Sequence, residues 1–318
     1  MTIGSDPEKA PQAGPAPIAF FAFRRPWTTL QALYALSRCP EAAQSELHVF
    51  SDGARSAADR DAVAQVREVV RFHRWCGKIE VHESDRHLGL ACSVIGGVGA
   101  LCASHGRVIV VEDDLLVANG FLEYMNRGLE LYRDQPEVMQ ISGHSFPSSA
   151  PEPRAVLMPL ATTWGWATWQ RAWSKFEEVP KAAARLRSDR ALRRSFDLDG
   201  AYPYSQLLER QLAAAVDSWG IRWWWSVHQN RGLGLFPLRT LVRNIGYGEE
   251  ATHTRGPSPL MEAPDWLADA SVREFPADLK TDEQAFRRWK QYVRSHSRPG
   301  LGGRIGRAAR LLLPRGSH

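Results

Sequence analysis

From Pro17 to Ser142 the chain alternates short runs of β-branched and aromatic residues with stretches whose apolar positions recur at helical spacing. Ile18 to Phe23, Leu47 to Phe50, Ile79 to Val81, Arg107 to Val111 and Val138 to Ser142 read as strands. Thr28 to Ser37, Ala57 to Phe72, Leu90 to Ala103 and Phe121 to Tyr132 read as helices. The first is bracketed by Pro26 and Pro40, and the second carries Val63, Val66, Val69 and Val70 at helical spacing. This alternation predicts βαβ units, an α/β fold with a mostly parallel sheet flanked by helices. Such sheets bind ligands beyond the carboxyl ends of their strands. Arg24 and Arg25, Asp52, and the cluster Glu112-Asp113-Asp114 follow strands, so they are expected to converge on one crevice.

Composition narrows the picture. The 318 residues are 44% hydrophobic and 24% charged, an ordinary globular balance with enough apolar residues for a sizeable core. No apolar stretch reads as a bilayer span or a secretory h-region, so a cytoplasmic protein is expected. The four cysteines have no paired spacing and read as buried free thiols. The net charge of +5 resides in the tail: from Arg287 to His318 there are nine Lys/Arg and no acid. A mildly acidic body with a basic tail argues against a nucleic-acid partner. RIGRAARLLLPR could lie as an amphipathic helix at the inner face of an anionic membrane, or be a solvated terminus. The expected organisation is a disordered 1–16, halves at 17–146 and 147–256, and a C-terminal helix with basic tail over 257–318.

The acidic triplet carries the most chemistry. Three carboxylates directly after a buried strand are costly unless something cationic shares the site. A hard divalent ion, Mn²⁺ or Mg²⁺, bridging to a diphosphate would meet that need. The alternative is that Asp114 caps a following helix. No Walker sequence and no G-x-G-x-x-G follow the first strand, which argues against a P-loop NTPase or a dinucleotide enzyme. Gly96, Gly97 and Gly99 fall inside a helical pattern and are expected to permit close packing.

RVIVVEDDLLVANGFLEYM resembles the metal-binding strand of GT-A glycosyltransferases, in particular the N-acetylglucosaminyltransferase I type. HLGLACSVIGGV, PIAFFAFRRP and HVFSDG resemble segments of family 2 glycosyltransferases, and TTWGWATWQRAW and LVRNIGYGEEATHT resemble segments of bacterial family 2-like sugar transferases. The resemblance spans Pro17 to Thr254. It implies a GT-A fold with a mixed acceptor-side subdomain. It also implies transfer, with inversion, of a hexosyl or N-acetylhexosaminyl group from a nucleotide-sugar, a UDP-sugar first. The acceptor would be a saccharide or lipid-linked sugar in bacterial surface polysaccharide synthesis. By position, Asp52 would bind the nucleobase or ribose, and Arg24, Arg25 and Arg86 the nucleotide. Asp114 would ligate the metal with Glu112 beside it, Asp113 would lie near the ribose or metal, and His253 would add a second metal or phosphate contact, unless it is a surface residue.

Eight of the 12 tryptophans fall between Trp164 and Trp225. Indole faces stack on sugars and also build cores. The Thr163-Trp164-Gly165-Trp166 loop is read as a sugar-site wall, because Gly165 allows close backbone approach; Trp169 and Trp173 are read as core. An inverting transferase needs a carboxylate base on the acceptor side. Asp217, at the end of a helical pattern from Tyr204 to Val216, is the candidate, with Glu249 and Glu250 in reserve; a helix-end surface acid is the alternative. Pro147 to Pro153 reads as a lid or a surface connection. Two other functions stay open: a carbohydrate-binding protein without transfer, and a nucleotidyltransferase.

Overall fold

The computed structural model describes residues 14–145, 153–246 and 270–297. The first half runs β1 (Ile18–Ala22), α1 (Pro26–Ser37), β2 (Glu46–Ser51), α2 (Arg60–Phe72), β3 (Lys78–Glu83), α3 (Leu90–His105), β4 (Arg107–Glu112), β5 (Leu115–Val117), α4 (Phe121–Leu131) and β6 (Val138–Ser142). The second half runs β7 (Ala155–Met158), β8 (Trp166–Trp169), α5 (Gln170–Trp173), α6 (Arg190–Phe196), α7 (Tyr204–Leu212), α8 (Trp219–Gln229), β9 (Leu233–Pro237), β10 (Val242–Asn244) and α9 (Glu283–Ser297).

Eight strands form one sheet in the order β3-β2-β1-β4-β8-β6-β9-β7. β3, β2, β1 and β4 are mutually parallel, and β6 and β9 run the same way; β8 and β7 are antiparallel. β1 and β6 are buried at every position, which a central strand covered on both faces requires. This is the α/β, mostly parallel sheet that the alternation predicts. The expected halves share it: β8, from the second half, is inserted between β4 and β6 of the first. Residues of the two expected halves are therefore seated in one sheet.

The crossovers put α3, α5 and α8 on one face and α1, α2 and α4 on the other. Gly97 lets α3 sit low on its face: a Cβ there would meet the ring tips of Phe50 and Phe21 at 2.9 and 3.0 Å. Gly96 and Gly99 have no comparably close neighbour, so the close-packing role belongs to Gly97. Among the four cysteines, all free, Cys92 is exposed and the other three are buried.

Four tryptophans of the second half, Trp166, Trp173, Trp219 and Trp223, form an aromatic layer between β8 and α8. Trp166 stacks on Trp219 at 5.4 Å, and Trp173 lies 5.1 Å from Trp223. α9 closes the far side, with Trp289 fully buried 5.8 Å from Phe236. The helix expected to reach Val216 stops at Leu212. Ala214 turns left-handed at φ 54°, and the amides of Ala213 and Ala215 close onto the carbonyls of Glu209 and Arg210. Among the described residues no helix is long and apolar enough to cross a membrane. The basic tail after Pro299 lies outside the described residues, as do 1–13 and most of the Pro147–Pro153 segment.

Candidate active site

The acidic triplet sits where two sheets meet. β4 ends at Glu112, Asp113 and Asp114 form a turn, and β5 begins at Leu115. β5 pairs antiparallel with β10, and the amide of Ile245 extends that ribbon by donating to the Asp114 carbonyl at 2.8 Å. Asp114 is thus held between strands and does not cap a helix; α4 starts seven residues later. Gly246 lies against it so closely that a Cβ would fall 2.3 Å from Asp114 Oδ2.

Arg25 supplies the cation. It follows β1, whose residues align with β4, and its guanidinium spans the two aspartates. One arm donates to Asp113 Oδ1 and the other to Asp114 Oδ2 at 3.0 Å. Asp113 also accepts the Phe23 amide through Oδ2 at 3.1 Å. Burial works against the charged guanidinium, but the two aspartates outweigh it and hold the Arg25 pKa above its ordinary value. The sequence argument that a divalent ion must neutralise the triplet is therefore corrected in part, because one built-in positive charge faces three carboxylates. It also corrects the role of Arg25, whose donor atoms are engaged with the triplet rather than turned toward a nucleotide.

Glu112 is the unbalanced member. It projects on the α3 face, level with Phe21, and its Oε1 is buried with no hydrogen-bond partner. Burial first, and then the neighbouring aspartates, push its carboxyl well above the ordinary range; burial also raises Asp113, against the pull of Arg25. Such a set of hard oxygen donors, with one orphaned and the most exposed of them, Asp114, at the rim, fits a hard divalent cation.

Asp52 is spent differently from expectation. Its Oδ1 accepts the amides of Gly53 and Leu88 at 2.8 Å, and its Oδ2 accepts the Gly89 amide at 3.0 Å and lies 2.7 Å from His87 Nδ1. The carboxylate is saturated by the loop that leads into α3, at the positive end of that helix. It shapes this edge of the sheet, its oxygens engaged by the chain's own amides and the His87 ring. Arg86 is exposed on this loop, its main chain pressed against Gly53. Arg24 pairs with Asp59 at 2.7 Å, and Arg55 joins the same carboxylate at 3.2 Å. Phe23 lies 4.8 Å from the His87 ring, with the Arg55 guanidinium 5.4 Å from its centre. Phe23, Arg55, Asp59 and His87 thus belong to this rim and were missed in the sequence; His87 stood inside a quoted segment, but nothing marked it as a partner of Asp52.

The tryptophan wall is corrected. Trp166 is fully buried in β8, its indole inside the aromatic layer, so it has no face to offer a sugar. Gly165, at φ +56°, serves backbone packing: a Cβ would meet Val242 Cγ1 at 2.7 Å. Trp164 is buried edge-on to His144 at 4.7 Å. His144, just past the end of β6, is held neutral by burial, with its pKa lowered to about 3. Trp27 is the tryptophan left open among the described residues, 63% exposed in the first turn of α1, two residues from Arg25.

Asp217 precedes Ser218, whose hydroxyl caps α8. Trp219 stacks on Trp166, and Trp166 pairs with Val110, two residues before Glu112. This chain of contacts puts Trp219, and with it the start of α8, on the sheet face that carries Glu112. The Asp217 carboxylate is half-exposed and accepts from the buried Arg222 at 3.1 Å. Glu249, Glu250 and His253 lie outside the described residues.

No family model and no curated protein matches the chain. Among solved structures it is similar to the mannosyltransferase PcManGT from Pyrobaculum calidifontis, a complex with GDP-Man and Mn²⁺. That match has 14% identity and a TM-score of 0.37, over 63% of this chain and 68% of the other. It is similar to mouse xyloside xylosyltransferase 1 at 12% identity and a TM-score of 0.32, over 59% of this chain and 77% of the other. It is also similar to a UDP-glucose pyrophosphorylase complexed with UDP-glucose, at 8% identity and a TM-score of 0.29, over 52% and 80% of the two chains. Identities and scores this low do not assign the chain to a family, so the chemistry of the site has to be read from its own residues.

Proposed function

We propose that the chain is a metal-dependent GT-A glycosyltransferase that moves a sugar, with inversion, from a nucleotide-sugar to a saccharide or lipid-linked acceptor. The observation that carries this is the triplet: three carboxylates at the carboxyl edge of a parallel sheet, one orphaned, with one guanidinium among them. A sugar binder that works by stacking and neutral hydrogen bonds does not need such a cluster. The segments quoted from the sequence support the same reading, with a UDP-sugar as the first donor to test and bacterial surface polysaccharide as the setting.

Asp114 and Glu112 would hold a Mn²⁺ or Mg²⁺ ion, which supplies charge neutralisation to the departing nucleoside diphosphate. Arg25 orients Asp113 and Asp114 toward the crevice and adds a fixed positive charge beside the phosphates. The Phe23, Arg55, His87 and Arg86 rim, held by Asp52 and Asp59, bounds the nucleotide. On the acceptor side Asp217, oriented by Arg222, takes the proton from the attacking hydroxyl. Glu249 and Glu250, three and four residues beyond Gly246, are the alternative bases, and His253 the further metal or phosphate contact. Contact of the basic tail with a membrane belongs to this proposal as its acceptor-delivery side.

Incubation with a panel of nucleotide-sugars and Mn²⁺ tests the reading. Release of nucleoside diphosphate from one donor class, abolished by chelator and by Asp114→Asn, is expected. Full activity in excess chelator would refute it.

A further inference from the structure

A second polar cluster lies at the opposite, amino-terminal edge of the sheet, where β2, β3 and the end of α3 meet. Glu46 and His48 lie on β2, Glu80 and His82 on β3, and His105 ends α3. Parallel register sets His48 beside Glu80 and Phe50 beside His82, all on the α3 face. The Glu46, His48 and His105 ligand atoms lie within 4.8 Å of one another.

Three ligand atoms converge there. Glu46 Oε2 is 3.6 Å from His48 Nε2 and 3.5 Å from His105 Nε2. A tetrahedral zinc site with metal–ligand bonds of about 2.0–2.2 Å has ligand–ligand edges of roughly 3.3–3.6 Å. The other atom of each residue is already engaged. Glu46 Oε1 accepts from Lys78 at 3.3 Å, and His105 Nδ1 meets the Ser104 hydroxyl at 2.8 Å. His48 Nδ1 is 3.2 Å from His82 Nε2 and 3.8 Å from Glu80. Partners of this kind fix ring orientation and tautomer in metal sites. His48 itself is buried, and its Nε2 has no hydrogen-bond partner. A buried imidazole nitrogen beyond hydrogen-bond distance thus faces a carboxylate and a second imidazole, a set of donors that one divalent cation would satisfy.

We propose that Glu46, His48 and His105 form a second metal site, selective for a borderline divalent ion such as Zn²⁺, with its fourth position open to water. The ion joins β2 to the last turn of α3. It therefore anchors the carboxyl end of the helix whose amino end Asp52 secures at the donor edge. The site is separate from the triplet in residues and in ligand preference: imidazole suits Zn²⁺, whereas the all-carboxylate triplet suits Mn²⁺ or Mg²⁺.

The test is a titration of the full chain with Zn²⁺, and with Co²⁺ followed by its visible absorption, in an Asp114→Asn background that disables the triplet. One ion per chain is expected, with a four-coordinate Co²⁺ spectrum and a raised Tm. His105→Ala and Glu46→Gln should each weaken binding at least tenfold. Both side chains are about one-third exposed, so these variants should keep the wild-type circular dichroism. Absence of Zn²⁺ binding, or unchanged affinity in both variants, overturns the proposal. Loss in His82→Ala with retention in His105→Ala would place the ion on the Nδ1 side of His48 and overturn it equally.

Discussion

Replacing Arg25 with methionine removes the one guanidinium that spans Asp113 and Asp114 while keeping much of its apolar stem. Breaking a buried ion pair from one side costs about 3–5 kcal/mol, because the partner charge stays buried. The structure bounds this further. Asp113 is almost wholly buried and keeps only the Phe23 amide, whereas Asp114 is near the rim and partly wetted. The stranded Asp113 can escape by taking up a proton. That costs about 1.4 kcal/mol for each pH unit above its ordinary value of 3.8, so the penalty is capped near ~4 kcal/mol at pH 7 and ~1.6 kcal/mol at pH 5. The sign follows from proton binding: a carboxyl raised in the folded state holds a proton that the unfolded chain lacks, so stability falls as pH rises. Urea denaturation in chelator at pH 5 and pH 7 reads both values. Arg25→Met should lose about 3–4 kcal/mol at pH 7 and less than half of that at pH 5. A loss below ~1 kcal/mol at pH 7, or one that does not shrink at pH 5, would show that Arg25 is not what balances the triplet. Saturating Mn²⁺ should return about 2.7 kcal/mol at a hundredfold excess over Kd, if a divalent ion binds these carboxylates.

Asp52→Ala leaves the amides of Leu88 and Gly89 without their acceptor, and is expected to cost about 2–4 kcal/mol by urea titration; a change below ~0.5 kcal/mol would mean that the loop is held elsewhere. Asp217→Asn should lower transfer by roughly 10²–10⁴-fold, with donor Kd and Tm near wild type; normal transfer, with loss in Glu249→Gln or Glu250→Gln, would move the base to the later segment. Gly246→Ala forces a methyl against Asp114 Oδ2 and should weaken metal-dependent donor binding more than tenfold while Tm shifts by a few degrees; unchanged Mn²⁺ affinity in calorimetry would contradict that packing. Gly165→Ala, at a left-handed φ and against Val242, should lower stability by about 2–4 kcal/mol; a chemical melt that matches wild type would argue against the positive φ.

The elements were legible where local physics decides them. Buried runs such as IAFFA and RVIVV admit no amphipathic helix, and the strands stand within a residue or two of their expected bounds. The parallel first half, and the placing of Arg25 and the triplet at one edge of the sheet, follow from that alternation. Tertiary structure decided what each polar group does there. Asp52 reads as a ligand-binding acid because it follows a strand, but two amides and the His87 ring brought in by the loop before α3, with the neighbouring Gly53 amide, consume it. The Trp164–Trp166 loop reads as a wall because glycine and indole suit sugars, but β8 enters the sheet between β4 and β6 and turns Trp166 into core. α7 stops short of its alanine run, where Ala214 turns left-handed and the chain leaves the helix before α8 begins. Hydrophobic periodicity is a property of neighbours along the chain, so it can be read from the chain. The partner of a carboxylate or an imidazole is chosen across 30 to 90 residues, by which strands lie side by side, and that is why Arg25 on Asp113, Leu88 on Asp52 and His105 beside His48 appear only in the folded protein.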